Sequence, residues 1–265
     1  MSLPRYETLA LEPRGEHVLL VTLNRPEVLN ALNTQMGRDH LDLWTRLAAE
    51  PGDLRCVIVT GSGDRAFCAG GDLKERNGMP QAEWQAQHEI FERAHLALVE
   101  CSVPVIAAVN GHAYGGGLEL ALCCDFIYAV PGARLALSEV RLGIMPGCMG
   151  TQTLPRAVGE RRAKELILSA RPFSAAEGLE WGLVNRICEP AKLVEEALAT
   201  AQAIAENGPL SVRQAKKSIH FGLAMDLATG YRFEIEAYNR LVDTEDRREG
   251  VRAFNEKRKP DFKGR

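Results

Sequence analysis

The chain has 265 residues, 46% of them hydrophobic and 25% charged, with a formal net charge of -3. That composition excludes a disordered or fibrous chain and predicts one large core with a smaller appendage. The near-neutral charge gives no footprint for nucleic acid or an anionic membrane, so an anionic ligand would need a local cationic patch.

In chain order, the first ten residues lack a basic segment followed by an apolar one, and no signal peptide is expected. Residues 17–24 read as a strand closed by Arg25 and Pro26. Asn33 and Thr34 can cap a helix carrying Leu41, Trp44, Leu47 and Ala48 on its apolar side, ending near Pro51 and Gly52. Residues 55–60 form a second buried strand, 61–71 a glycine-rich loop and 80–101 a long helix. Residues 104–110 form a third strand, running through 111–117 (G-H-A-Y-G-G-G) into another helix. Short strands follow at 125–130 and 134–138. This alternation of strands, helices and glycine-rich loops predicts an α/β core.

From about residue 155 the pattern turns helical, at 161–170, 174–181, 191–206, 209–221 and 226–242, with one short strand at 183–188. Thr244 caps a final helix with Glu245 and Asp246 in its first turn and 257–259 (K-R-K) at its end, stopped by Pro260. Its apolar face is thin (Val251, Phe254), so it is expected to lie across something else. The longest apolar run, 118–130, is interrupted by Glu119 and Asp125 and is too short to span a bilayer. Seven cysteines without a C-x-x-C pair fit a reducing, cytoplasmic compartment. No metal site is expected, because the histidines lack ligand spacing.

Glu119 follows three glycines in the first turn of a helix whose other residues are apolar. Burial would raise its pKa toward the range useful for proton transfer. The plainer alternative is a partly solvated carboxylate favoured by the helix dipole. Gly115, Gly116 and Gly117 let backbone approach a ligand and leave N–H groups free at a helix start, the parts of an oxyanion hole. Gly70 and Gly71 offer a second such loop. Glu139, also flanked by apolar residues, is the second carboxylate of interest, but spacing cannot place it beside Glu119. The stripe Trp84, His88, Phe91, His95 and Leu98 reads as packing, or in part as the lining of an acyl pocket. Residues 61–66 (G-S-G-D-R-A) match a dinucleotide fingerprint, but Gly70 and Gly71 would break the helix it must open. No nucleophile elbow or P-loop is present.

Taken together, 23–26 (L-N-R-P), 29–32 (L-N-A-L), 67–74 (F-C-A-G-G-D-L-K), 108–111 (A-V-N-G), 115–120 (G-G-G-L-E-L), 124–125, 142–143, 146–147, 151–152 and 246–250 (D-R-R-E-G) resemble the crotonase (enoyl-CoA hydratase/isomerase) superfamily. The resemblance implies a spiral of ββα turns over 1–195, bearing the active site, and a helical trimerisation region over 196–265. Its other implications are coenzyme A thioester substrates, no separate cofactor, and a homotrimer or dimer of trimers. By position, the N–H groups of Gly71 and Gly116 would hold the thioester oxygen, Glu119 would activate water, and Glu139 would deliver a proton to the α-carbon. Val28, Ala69, Asp72 and Leu73 would contact the coenzyme, with Phe254 and Lys257 reaching a neighbouring subunit's.

The pair of glutamates favours hydration of a 2-enoyl-CoA. The alternatives are isomerisation, a specialised step such as methylglutaconyl-CoA hydration, or acyl-CoA binding without catalysis. Residues 70–76 and 163–171 are most similar to methylglutaconyl-CoA hydratases. Those animal proteins can bind RNA through a lysine-rich helix, but 33–50 has no lysine and no nucleic-acid partner is expected. Glu27 stands where many hydratases have lysine, Gly71 replaces a more frequent alanine, and Cys148 with Met149 interrupts a usual run of small residues.

Overall fold

A computed structural model describes residues 3–265. Strand β1 (Leu9–Pro13) folds back antiparallel on β2 (Val18–Leu23), and helix α1 (Thr34–Ala49) follows. Strands β3 (Cys56–Gly61) and β4 (Ala66–Cys68) lead to a short α2 (Leu73–Arg76) and a long α3 (Gln81–Val99). Next come β5 (Val105–Val109), β6 (His112–Tyr114) and α4 (Gly116–Leu122), then β7 (Phe126–Ala129) and β8 (Arg134–Ala136). The chain continues with α5 (Gly150–Val158), α6 (Glu160–Ser169), β9 (Phe173–Ser174), α7 (Ala175–Glu180) and β10 (Arg186–Ile187). Four helices close it: α8 (Leu193–Ala205), α9 (Pro209–Gly222), α10 (Leu227–Val242) and α11 (Glu245–Asn255).

The strands sort alternately into two sheets, ordered β1-β2-β3-β5-β7-β10 and β4-β6-β8-β9. From β3 to β8 each turn of chain lays one strand on the first sheet and the next on the second, and a helix usually returns it: the expected spiral of ββα turns. The central strands β3 and β5 are buried along their whole length, which is why they read as continuous apolar runs rather than alternating ones. All seven cysteines are free and buried.

Some details differ from the sequence reading. Strands β1, β4, β6 and β9 and helix α5 were not anticipated; β4 and β6 have three residues each and lie inside glycine-rich stretches. In keeping with the loop expected over 61–71, no helix opens at 61–66, where the chain passes from β3 into β4. The buried side of α1 is Met36, His40, Leu43, Trp44 and Leu47, while Leu41 and Ala48 face outward. Polar His40 and Asp39 are buried because they are paired: Trp44 Nε1 donates to His40 Nδ1 (2.9 Å), and Asp39 Oδ2 accepts from Thr8 N (2.9 Å) and Oγ1 (2.7 Å). Helix α8 spans residue 195, where a boundary was expected, and packs on β3 and β5.

Successive turns of the spiral touch backbone to backbone. A Cβ on Gly117 would lie 2.2 Å from the Cys68 carbonyl oxygen, and one on Gly70 2.7 Å from that of Tyr114. Gly117→Ala should therefore push α4 off β4 and destabilise the fold by about 1–3 kcal/mol, seen as a lowered midpoint in thermal melts.

Candidate active site

The two glycine segments face one small space. Leu32 donates its N–H to the Gly70 carbonyl (2.8 Å) and accepts from the Asp72 N–H (2.9 Å). Gly71, between those partners, turns its own N–H to the opposite side, where it finds no backbone acceptor among the described residues. Gly116 is the first residue of α4, so its N–H also lacks an intrahelical partner. A Cβ on Gly70 would sit 3.5 Å from the Gly116 nitrogen. Gly70 and the start of α4 are therefore neighbours.

Glu119 projects from the first turn of α4 and is 2% exposed. Its Oε1 accepts from the N–H groups of Cys148 (2.7 Å) and Gly150 (2.8 Å). Met149 lies between them in the left-handed region, at φ 77°, and that bend lets both neighbours aim at one oxygen. Burial pushes the Glu119 carboxyl above its usual range, and the two N–H groups pull it back.

Glu139 begins a short 3₁₀ turn, Glu139–Leu142, and is 9% exposed. Both its carboxyl oxygens are buried without a partner among the described residues. Burial, reinforced by the charge of Glu119, raises it to about 7. A Cβ on Gly115 would lie 3.2 Å from Glu139 Oε1, and one on Gly116 4.0 Å from Glu119 Oε2. Two carboxyls from separate turns therefore converge beside the glycine amides. One is anchored through a single oxygen with the other free, and its companion is held only by its surroundings. Such a set can move protons on neighbouring carbons while N–H dipoles take up charge on a carbonyl oxygen.

Beside Gly71 opens a cleft of about 430 Å³ lined by Leu73, Lys74, Arg76, Asn77, Trp84, Leu142 and Ile144. Trp84 thus belongs to this cleft, whereas Phe91, His95 and Leu98 of the same stripe are buried packing. Of the expected coenzyme contacts, Val28, Ala69, Asp72 and Leu73 share one edge, because residue 69 is hydrogen-bonded to Leu29 and residue 72 to Leu32. The Asp72 carboxylate is itself occupied, capping α2 and pairing with Arg25 at 3.0 Å. Phe254, 83% exposed, and Lys257, also exposed, stand on the outer side of α11 and its end. Within one chain no hydrogen bond joins them to that edge. The amides that anchor Glu119 were not anticipated. At Cys148, noted above only for interrupting a run of small residues, the N–H holds the carboxylate while the thiol is buried.

A family model described as enoyl-CoA hydratase/isomerase matches residues 14–265. The 1.8 Å crystal structure of enoyl-CoA hydratase from Bacillus anthracis superposes with a TM-score of 0.95 at 42% identity, covering 98% of this chain and 100% of that one. Short-chain-enoyl-CoA hydratase of Clostridium acetobutylicum is 40% identical over 96% of this chain and 97% of its own. (E)-Benzylidenesuccinyl-CoA hydratase of Thauera aromatica is 39% identical over 94% and 97%.

Because Glu139 titrates near 7 when folded against an ordinary 4.5, the native state keeps a proton that the unfolded chain has lost between those values. Stability therefore falls as pH rises through that window. Glu139→Gln should melt at higher temperature than the parent at pH 8, by up to about 3 kcal/mol of stability, and the difference should vanish toward pH 4.5.

Proposed function

The chain belongs to the enoyl-CoA hydratase/isomerase family, and we propose that it adds water across the double bond of a 2-enoyl-CoA thioester to give a 3-hydroxyacyl-CoA. The observation that carries this reading is the convergence of Glu119 and Glu139 on the glycine segment that offers the Gly116 N–H. In this reading the thioester oxygen rests between the N–H groups of Gly71 and Gly116. The free Oε2 of Glu119 takes a proton from water as its oxygen attacks the β-carbon. The enolate that forms is held by the two dipoles, and Glu139 gives its proton to the α-carbon. Passage of one proton from Glu119 to Glu139 restores the pair. No cofactor is required, since the coenzyme is part of the substrate.

The electrostatics support this division of labour. Glu119 has N–H donors that favour its charged form, as a base requires, while Glu139 has none and is held toward neutrality, as an acid requires. The coenzyme is proposed to lie along Val28, Ala69, Asp72 and Leu73, with Phe254 and Lys257 supplied by a neighbouring subunit. Helices α9 to α11 expose Ile219, Leu223, Leu227 (90%), Tyr231, Tyr238 and Phe254. An apolar surface of this kind favours burial against further copies, as a trimer or a dimer of trimers. No helix among the described residues is long and apolar enough to cross a membrane.

Loss of enoyl-thioester absorbance with crotonyl-CoA tests the reaction. Glu119→Gln and Glu139→Gln should each lower kcat/KM roughly 10²–10⁴-fold, and unaltered turnover in either would remove its role. Because Glu139 must carry the proton, kcat/KM for hydration should decline as pH rises through about 7. Isomerisation of a 3-enoyl-CoA without net hydration would replace the hydratase reading. Light scattering after chromatography should report a trimer or hexamer, and Leu227→Asp with Tyr231→Asp should shift it to smaller species.

A further inference from the structure

Two buried histidines take no part in the reaction described above, and each leaves one ring nitrogen without a partner. His40 on α1 and His95 on α3 are 3% and 4% exposed. Trp44 Nε1 donates to His40 Nδ1 at 2.9 Å, so the proton of a neutral His40 sits on Nε2. His95 Nδ1 lies 2.8 Å from the Phe91 carbonyl oxygen, which can only accept. The His95 proton is therefore on Nδ1, and its Nε2 is bare. Burial keeps both rings neutral, holding His40 down at about 3 and His95 below its ordinary range. Neither Nε2 has a hydrogen-bond partner among the described residues. One is a donor, the other an acceptor, and they are not bonded to each other.

Both rings line a small cavity of about 10 Å³, together with Leu32, Trp44, Phe91 and Leu120. By this measure one water needs about 10–15 Å³, and it needs two to four polar partners. Purely apolar cavities stay dry, but this one is offered a proton from α1 and a lone pair from α3. The same cavity backs the two glycine segments. Leu32 donates to Gly70 and accepts from Asp72, the residues on either side of Gly71. Its Cδ1 would stand 3.1 Å from a Cβ on Gly116, and His95 approaches the backbone of Gly116 itself. Leu120 lies one turn further along α4. Both glycine segments therefore lean on the lining of one cavity.

We propose that His40 and His95 hold a single water molecule, which accepts from His40 Nε2 and donates to His95 Nε2, and that this bridge positions the Gly71 and Gly116 amides. The bridge ties α1 to α3 across the space on which α4 rests, and so sets how closely the start of α4 approaches Leu32. A shift of about 0.5 Å there misplaces a donor relative to the thioester oxygen, where geometry governs rate. Two apolar side chains would fill the space more simply, and a buried donor and acceptor are costly unless both are satisfied. Neither ring touches substrate, so both are positioning residues. Their role rests on the hydratase reading for the identity of the reacting atoms; the water site does not depend on it.

A crystal structure of the full chain tests the site. Density for one water within about 3 Å of both Nε2 atoms is expected, and a well-ordered cavity without it would overturn the inference. The role is tested with His40→Leu, His95→Leu and the double variant. Thermal melts and crotonyl-CoA kinetics are read together with the infrared carbonyl band of bound butyryl-CoA, a thioester that cannot be hydrated. Each single variant strands one polar group and should melt early, whereas the double variant removes both and should recover most of the loss. In all three, kcat should fall roughly 10–100-fold with KM nearly unchanged, and the band should move toward its position in free solution. A double variant that regains stability and turns over like the parent would overturn the positioning role. Where no protein hydrates crotonyl-CoA, the band decides: a shift between parent and double variant upholds the bridge while removing hydration, and an unchanged band overturns it.

Discussion

Turns of the spiral approach so closely that only backbone fits between them: the Cβ that Gly117 lacks would stand 2.2 Å from a carbonyl oxygen. That contact brings the start of α4, and with it Gly116, against the end of β4 and the Gly70 turn. In the proposed reading, a side chain at the junction would separate the two donors assigned to the thioester oxygen. The fold and the chemistry therefore share a constraint, because the glycines that permit the packing also leave amide protons without internal partners.

The carboxyls depend on the same geometry in opposite ways. Glu119 and Glu139 are both buried, and burial opposes the charge of each. What separates them is the supply of donors. The backbone around Met149 adopts a left-handed bend that gives Glu119 two N–H groups, while the 3₁₀ turn gives Glu139 none for its oxygens. A buried carboxyl held toward neutrality by isolation is a stability cost, one tolerated for function in the proposed reading.

Much of this was legible in the residues, and the limits have physical causes. Strands β2, β3 and β5 announced themselves as apolar runs between turn signals, and Asn33 does cap α1, accepting from Met36. The three-residue strands β4 and β6 are too short to show a period. The buried face of α1 was misjudged because Asp39 and His40 are polar: nothing local reveals that Thr8 pairs with Asp39, and His40 is buried with only its Nδ1 bonded, by Trp44. Glu119 could be singled out from its neighbours alone. Its meeting with Glu139 could not, since periodicity within an element says nothing about where a different turn lands.

The buried thiols carry a last consequence. Burial raises Cys56, Cys68 and Cys188 to about 12, 12 and 11, so none is a competent nucleophile in the closed state. Alkylation must wait for local opening, and its rate becomes a clock for that opening. Cys68 and Cys148 border the glycine junction and the Glu119 anchor, whereas Cys56 lies in the middle of the larger sheet. Breathing of the catalytic corner and rupture of the whole scaffold would thus be recorded by different sulfur atoms of one unaltered chain.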